Sequence, residues 1–190
     1  MAIINKYYSG VFGLPVQIGG AGDSGSATAQ GVFYGIKVSC LHRFKSSDLA
    51  DRTILVQGAG SVGEPLIRLL LDAGCEVQFS DIDPECITKI CQELGISYVK
   101  PENVYKQPCD VFAPCAIGGI LNQKTIPQLA CQIIAGAANN QLDQTQDGDA
   151  LYERGILYAP DYVINSGGAI FLIGIEGLGW TDSQVQNRIR

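Results

Sequence analysis

The stretch Gly58-Ala59-Gly60-Ser61-Val62-Gly63 follows a short apolar run at 53–57 and leads directly into a helix-forming run at 64–71. A strand, a tight glycine turn and a helix in this order form the context of a dinucleotide-binding fingerprint. The first glycine permits the turn, the second lets a pyrophosphate approach the backbone, and the third lets the helix pack on the strand. The helix N-terminus adds free N–H groups and a positive dipole end. The stretch therefore predicts a phosphate-binding turn.

An acidic residue at the end of the next apolar run supports this prediction. Asp81 follows the run 76–80 and lies 18 residues after Gly63. A carboxylate that accepts hydrogen bonds from the adenine ribose diol is expected about 20 residues on. Asp83 follows, and the next basic residue is Lys89, so a 2′-phosphate would face two carboxylates. This pattern favours NAD over NADP. The alternative is that Asp81 is an ordinary strand-end turn residue or a helix N-cap.

The rest of the chain alternates short apolar strands with helical patterns, which is typical of right-handed βαβ crossovers and a parallel sheet. The predicted fold class is α/β, a doubly wound Rossmann-type sheet that is mostly parallel and has helices on both faces. We expect an N-terminal arm at 1–23, the Rossmann domain at 24–180 and the start of a C-terminal helix at 181–190. Helices are predicted at 24–42, 64–73 and 84–94, and strands at 53–57, 76–80, 96–99, 110–113, 132–136 and 156–158.

Local signals predict several of the helix ends. Asp23 or Ser24 can cap the first long helix at its N-terminus. Gly74 and Gly95 can end the next two helices, because glycine is favoured just past a helix C-terminus. The run Thr181-Asp-Ser-Gln184 has the pattern of a capping box.

Composition and charge argue against several classes of partner. The chain has 190 residues, 46% of them hydrophobic, with a net charge of −6 and an isoelectric point near 4.7. Like charges repel, which argues against a nucleic acid or an anionic membrane as partner. No run approaches the ~20 apolar residues of a membrane span, and the N-terminus lacks a signal-peptide core, so we expect a cytoplasmic protein. Seven cysteines without a CxxC pair and one histidine argue against a metal site and a disulfide framework.

Small and polar residues follow several of the later predicted strands, at 114–116, 137–140 and 165–168. In an open α/β sheet the ligand lies at the carboxyl ends of the strands. Asn139, Asn140 and Asn165 could bind a carboxamide there, since asparagine supplies both a donor and an acceptor. The same asparagines could equally cap turns and helices, and spacing alone does not decide between the two interpretations.

Three longer motifs resemble the Glu/Leu/Phe/Val dehydrogenase family, and most closely its leucine and phenylalanine branch. They are DVFAPCAIGG at 110–119, IAGAANN at 134–140 and GILYAPDYVINSGG at 155–168. The run GGAIFLIG at 167–174, followed by LGW at 178–180, is similar to the phenylalanine type. The resemblance covers nearly all of residues 10–190. It implies NAD-dependent oxidative deamination of a hydrophobic or aromatic L-amino acid to its 2-oxo acid and ammonia.

The resemblance also implies roles for individual residues. Those that would bind NAD are Gly58, Gly60, Ser61, Val62 and Gly63 at the pyrophosphate, Asp81 at the ribose, Cys115 and Ala116 beside the adenosine, and Thr28 and Asn165 at the nicotinamide. Asn140, or else Asn139, would reach towards the substrate.

One part of the family pattern is missing from this sequence. The family's substrate domain carries a glycine-rich motif with the catalytic lysine, a second lysine and a catalytic aspartate. None of the seven lysines here follows a glycine cluster. Deamination needs a lysine of lowered pKa beside a carboxylate that moves a proton. We therefore assign no catalytic residue.

We accordingly expect the NAD-binding domain of an amino-acid dehydrogenase that lacks the lysine-bearing substrate domain. In the family the C-terminal helix continues and returns to that domain. The expected partners are a small-molecule L-amino acid or 2-oxo acid substrate, and either further copies of this chain in a homo-oligomer or a partner chain that carries the substrate domain. The alternative is a catalytically silent NAD-binding module or accessory subunit. A methyl-donor-binding Rossmann domain matches less of the chain.

Overall fold

Six strands form one sheet in the computed structural model, which describes residues 1–8 and 10–190, so that Ser9 of the expected arm lies outside the described residues. The strands are β1 (Thr53–Gln57), β2 (Glu76–Ser80), β3 (Ser97–Tyr98), β4 (Val111–Pro114), β5 (Ile133–Ile134) and β6 (Leu157–Tyr158). Their order across the sheet is β3-β2-β1-β4-β5-β6, and every neighbouring pair is parallel. This is the doubly wound Rossmann order, so the predicted fold class is confirmed.

The central strand β1 holds the sheet together. It pairs with β2 from Thr53 to Gln57 and, on its other side, with β4 from Ile54 to Gln57. The three middle residues of β1 are buried. A strand that is covered on both faces needs a continuous apolar run rather than an alternating one, and the sequence supplies such a run here.

Helices cover both faces of the sheet. They are α1 (Ala2–Asn5), α2 (Gly25–Phe44), α3 (Gly63–Asp72), α4 (Pro84–Leu94), α5 (Asp147–Glu153), α6 (Asp161–Ile164), α7 (Gly167–Leu172) and α8 (Asp182–Ile189). On one face Ile36 of α2, Leu66 of α3 and Ile90 of α4 share a buried cluster with Ile54 and Val56. On the other face, Leu55 packs in a second cluster with Phe112, Ile134 and Leu151 of α5.

Two crossovers on the second face contain only single 3-10 turns where an α-helix is usual. These turns are Pro101–Asn103 between β3 and β4, and Ile126–Gln128 between β4 and β5. Both carry a proline within the turn, and proline suits the start of a short turn but not a helix interior. Val104 and Ile126 nevertheless bury their side chains beside Phe112, so the turns cover the sheet as helices would.

The bounds of the elements agree best with the sequence where the local signals are strongest. β1, β2 and α4 have their predicted bounds, and Gly95 ends α4 in the left-handed conformation. The predicted strand at 132–136 is shorter, with β5 assigned only to Ile133–Ile134, although the Ala135 N–H still donates to the Phe112 carbonyl. The pairing with β4 thus continues one residue beyond Ile134.

The C-terminal segment returns to the first face and packs on α2. It contains α6, α7, a π-helical turn at Ile173–Gly177, and α8. Thr181 and Gln184 form the predicted capping box at the start of α8. Val185 of α8 packs with Ala27 of α2 and Trp180. Among the helices of the described residues, none is both long enough and apolar enough to cross a membrane.

Candidate functional site

The glycine turn between β1 and α3 is shaped by two close backbone approaches. Gly58 has φ = 92°, which is left-handed, and a Cβ atom there would lie 2.8 Å from the Cβ of Ala116. A Cβ atom at Gly63 would overlap the carbonyl oxygen of Gly58. The turn can therefore close only with glycine at these two positions, and its other wall is the end of β4.

Gly60 differs from the other two glycines of the turn. A Cβ atom at Gly60 would meet nothing within 4 Å, and both Gly60 and Ser61 are exposed. The backbone does not need glycine here for its own packing. Open space in front of Gly60, at the N-terminus of α3, is the arrangement that lets an anion approach the backbone N–H groups.

Asp81 lies at the end of β2 and is tied directly to the glycine turn. Its Oδ2 accepts a hydrogen bond from the Ala59 N–H at 2.7 Å, and its Oδ1 accepts from the N–H groups of Ile82 at 2.7 Å and Asp83 at 3.0 Å. Burial would raise the pKa of the Asp81 carboxyl, but these three donors outweigh it and hold the pKa below its usual 3.8. The side chain is thus an anion at neutral pH, fixed beside the turn.

The separate role of helix N-cap falls to Asp83. Its Oδ1 accepts from the Glu85 N–H at 3.0 Å at the start of α4. The alternative interpretation of Asp81 as a helix N-cap is therefore wrong, because that position is occupied two residues later. Asp81 Oδ1 accepts hydrogen bonds from the turn that directly follows it, while Asp81 Oδ2 accepts from the Ala59 N–H, 22 residues earlier in the chain.

Cys115 and Ala116 follow β4 on the opposite side of the glycine turn. The Cys115 N–H donates to the Gln57 carbonyl at 2.7 Å and extends the β1–β4 pairing to the start of the turn. Burial raises the pKa of the Cys115 thiol to about 11, so the thiol is neutral at pH 7. Ala116 is exposed and its backbone lies against Gly58. Both residues therefore line the same edge as the turn.

Three asparagines had two possible interpretations in the sequence: Asn139 and Asn140 follow β5, and Asn165 follows α6. Asn165 Nδ2 donates to Asn139 Oδ1 at 2.8 Å and to the Ala137 carbonyl at 3.2 Å. Asn140 has φ = 52°, and its carbonyl accepts from the Gly119 N–H at 2.7 Å. Asn139 and Asn140 are exposed. The structure brings Asn139 and Asn165 together at the carboxyl edge of the sheet and places Asn140 beside them.

Thr28 reaches this edge from the first turn of α2. A Cβ atom at Gly25 would overlap the carbonyl oxygen of Ser61, so the N-terminus of α2 rests on the glycine turn. Thr28 Oγ1 donates to the Ser24 carbonyl at 3.0 Å. A Cβ atom at Gly168 of α7 would overlap Thr28 Oγ1. Ser24 is the residue before α2, as predicted, although its side chain makes no capping hydrogen bond. The Gly25 N–H is bound instead by Asp23 Oδ1 at 2.9 Å.

Gln141 is a residue at this site that the sequence analysis did not identify. Its side chain is fully buried, and Nε2 donates to the carbonyls of Gly136 at 2.8 Å and Ala138 at 3.0 Å. It thereby holds the bend that carries Asn139 and Asn140 out of the sheet. A glutamine after two asparagines resembles an ordinary polar loop, so the sequence contained no signal for its burial.

The chain is similar in sequence to known amino-acid dehydrogenases. The family model for glutamate/leucine/phenylalanine/valine dehydrogenases matches residues 85–190. Leucine dehydrogenase of Geobacillus stearothermophilus is 43% identical over 170 residues, which are 90% of this chain and 46% of that protein. Phenylalanine dehydrogenase of Lysinibacillus sphaericus is 44% identical over 163 residues, which are 83% of this chain and 43% of that protein. The chain thus spans about half the length of the curated relatives it matches.

Solved structures agree with the sequence relatives. L-tryptophan dehydrogenase from Nostoc punctiforme superposes with a TM-score of 0.85 at 41% identity, over 88% of this chain and 51% of that chain. The hetero-hexameric glutamate dehydrogenase from Thermus thermophilus gives a TM-score of 0.69 at 21% identity, over 92% of this chain and 46% of that chain. The second likeness concerns the fold alone.

Proposed function

This chain belongs to the glutamate/leucine/phenylalanine/valine dehydrogenase family, and from that premise we propose that it is the NAD-binding domain of an amino-acid dehydrogenase. The reaction would be the oxidative deamination of a hydrophobic or aromatic L-amino acid to its 2-oxo acid and ammonia. The observation that carries the proposal is the bond between the Asp81 carboxylate and the Ala59 N–H of the glycine turn, next to the open space at Gly60.

The residues at the turn fit the adenosine and pyrophosphate parts of NAD. Gly60 and Ser61 offer exposed backbone at the N-terminus of α3, where free N–H groups and the helix dipole favour a phosphate. Val62 and Gly63 continue this backbone into the helix. Cys115 and Ala116 supply a small, uncharged wall on the other side, against which a planar base can pack.

Asp81 would bind the adenine ribose and select NAD over NADP. A carboxylate has about four acceptor sites, and three backbone N–H groups already use three of them. Oδ2 accepts one backbone N–H group, that of Ala59, and would use a further acceptor site for a ribose hydroxyl. A 2′-phosphate would meet the Asp81 anion at that position and be repelled.

The nicotinamide would lie at the other end of the same edge. Thr28 presents its hydroxyl from the first turn of α2, and Asn165 presents its amide from the end of α6. The Thr28 hydroxyl hydrogen and both Asn165 amide hydrogens are already donated, so each residue would offer an acceptor oxygen to the NH₂ group of the carboxamide. When bound, NAD would supply the hydride acceptor of the reaction. Asn140, beyond Asn139 and exposed, would reach towards the substrate.

Deamination itself would depend on groups outside this edge. The reaction needs a general base and an electrophilic cation close to the amino group. The edge brings together glycines, asparagines, a threonine, a neutral thiol and Asp81, whose carboxylate is bound by backbone N–H groups at the adenosine end. We propose that the lysines and the catalytic aspartate of the family act from the remaining half of the protein's length. Exposed apolar side chains near α6 and α7, among them Val163, Ile173 and Leu178, offer a surface on which that half can pack.

Calorimetric titration of the 190-residue chain with NAD and NADP tests the proposal. We expect NAD to bind and NADP to bind at least about tenfold more weakly, because of the repulsion at Asp81. A folded chain that binds no NAD would overturn the cofactor assignment. A second measurement, NADH formation with leucine, phenylalanine or tryptophan, should give no turnover with this chain alone. Clear turnover would show that the catalytic groups lie within these residues.

A further inference from the structure

The segment that precedes α2 folds into a compact loop. The Gly22 N–H donates to the Leu14 carbonyl at 3.0 Å, and the N–H groups of Ile18 and Gly20 donate to the Pro15 carbonyl at 3.0 and 3.1 Å. A single 3-10 turn at Val16–Ile18 lies between them. The loop is thus closed across its base, and it ends directly before Asp23 and the start of α2.

A single carboxylate from the C-terminal part of the chain holds this loop. Glu176, in the π-helical turn, accepts the Ala21 N–H at 2.6 Å, the Leu14 N–H at 3.3 Å and the Gly13 N–H at 3.1 and 3.2 Å on its two oxygens. Its carboxylate is half-buried. Three backbone N–H groups from both ends of the loop therefore converge on one anion, and the bond to Ala21 spans 155 residues.

The held loop leads directly into the first turn of α2. Ala21 is followed within four residues by Gly25, whose Cα fits against the Ser61 carbonyl with no room for a side chain. Three residues further, Thr28 Oγ1 lies so close to Gly168 of α7 that Gly168 has no room for a side chain. The first turn of α2 is therefore fitted between the glycine turn and α7. The π-helical turn that carries Glu176 is the direct continuation of α7.

We propose that Glu176 is a positioning residue for the nicotinamide half of the NAD site. It fixes the loop at 13–22 and thereby the first turn of α2, from which Thr28 presents its hydroxyl. It acts through the loop and does not itself touch the cofactor. The inference rests on the proposed NAD binding. The adenosine half, made by the glycine turn and Asp81, is held by the pairing of β1 with β2 and β4, so we expect it to depend far less on the loop.

The negative charge of Glu176 matters as well as its shape. A carboxylate offers acceptor sites on both oxygens, whereas a glutamine of the same shape has one acceptor oxygen and an NH₂ group that donates. In the variant Glu176→Gln the NH₂ group would face the Gly13 N–H, and one hydrogen bond would be replaced by a repulsion. Glu176→Gln should therefore hold the loop less well than glutamate and better than alanine.

The test compares two ligands on four proteins. NAD and ADP-ribose, which lacks the nicotinamide, are titrated calorimetrically into the wild type, Glu176→Ala, Glu176→Gln and the matched control Glu153→Ala. Glu153 is an exposed glutamate on α5, on the other face of the sheet. If only about a tenth of Glu176→Ala molecules keep the loop in place, the Kd for NAD rises about tenfold. The Kd for ADP-ribose should stay within about twofold, and the control should match the wild type.

Amide hydrogen exchange supplies a readout that does not need the cofactor. In the ligand-free protein, the Ala21 and Leu14 amides should exchange at least about tenfold faster in Glu176→Ala than in the wild type, while amides of β1 should not change. The inference is overturned if Glu176→Ala keeps wild-type affinity for NAD, or if it loses NAD and ADP-ribose equally. A wild type that binds neither ligand overturns the proposed function, and with it the inference.

Discussion

Replacing Gly60 by alanine is expected to separate cofactor binding from folding. A Cβ atom at this position meets nothing within 4 Å, and the Gly60 backbone is not left-handed. An exposed substitution of this kind changes stability by no more than about 0.5 kcal/mol, or about 2 °C in Tm. The new methyl group would stand where the pyrophosphate must approach the N–H groups. Loss of one hydrogen bond to a charged group costs about 1.5–3 kcal/mol, which is about 10- to 150-fold in Kd.

Gly63→Ala is the contrasting variant in the same turn. Its Cβ atom would overlap the Gly58 carbonyl oxygen, so the turn between β1 and α3 must open. We expect a destabilisation of about 3 kcal/mol, and a Tm lower by about 6–12 °C. Gly148→Ala, in α5, is the matched control: its Cβ atom would make an ordinary contact with Leu142 at 3.6 Å. Alanine is the better helix former, by up to about 1 kcal/mol, so this variant should be at least as stable as the wild type.

Thermal unfolding and calorimetric titration with NAD on these three variants check the reasoning. Gly60→Ala should melt with the wild type and bind NAD at least about tenfold more weakly, whereas Gly148→Ala should bind NAD normally. If Gly60→Ala binds NAD within twofold of the wild type, the pyrophosphate does not lie on this turn. If Gly60→Ala melts as low as Gly63→Ala, the space in front of Gly60 is not open, and the separation of the two glycines is wrong.

Further outcomes are expected at three residues of the same edge of the sheet. Asp81→Asn should weaken NAD binding about tenfold and narrow the preference over NADP in calorimetry. The pKa of Asp81 is lower in the folded than in the unfolded protein. The Asp81 carboxylate therefore stabilises the wild type fully above about pH 4, and this stabilisation is lost as the pH falls through the lowered pKa. In urea unfolding at pH 2–6, the Asp81→Asn variant should not show this part of the loss of stability. Cys115, with its pKa raised to about 11, should alkylate at pH 8 on the order of 100-fold more slowly than a free thiol, as mass spectrometry of labelled peptides can show. Gln141→Ala should lower the free energy of unfolding by about 2–3 kcal/mol in urea, because it leaves the carbonyls of Gly136 and Ala138 without a donor.

The sequence predicted the first half of the sheet more accurately than the second. β1, β2 and α4 carry their own signals: an apolar run ended by a polar residue, or a helix that begins at Pro84 and ends at Gly95. β5 and β6 are only two residues long, and their pairing depends on strands already in place. The 3-10 turns after β3 and β4 had no helical periodicity to reveal them, and their coverage of the sheet depends on tertiary packing around Phe112.

The candidate site likewise contains residues that the sequence could place together and residues that it could not. Gly58, Gly63 and Asp81 could be placed together because their spacing is a property of one βαβ unit, which is a local object in the chain. Thr28 was assigned only by resemblance. Cys115 and Asn165 follow predicted strands, but that position alone did not decide their roles, since each comes to the edge from a different element. Gln141 was not predicted, because its burial arises from the bend at the end of β5, where Gly136 packs directly against the Pro114 backbone.

Two acidic residues, Asp81 and Glu176, perform the same physical task at different distances along the chain. Each accepts N–H groups of a glycine-containing loop that leads into a helix, and such a loop always has N–H groups that no helix or strand satisfies. The glycines at 58–63 and 13–22 therefore indicate that an acceptor is needed, but not which residue supplies it. For Asp81 the next strand brings the acceptor back after 22 residues, a return that every βαβ unit makes. For Glu176 the return takes 155 residues and requires α7 to pack on α2, so the acceptor becomes visible only when the fold is known.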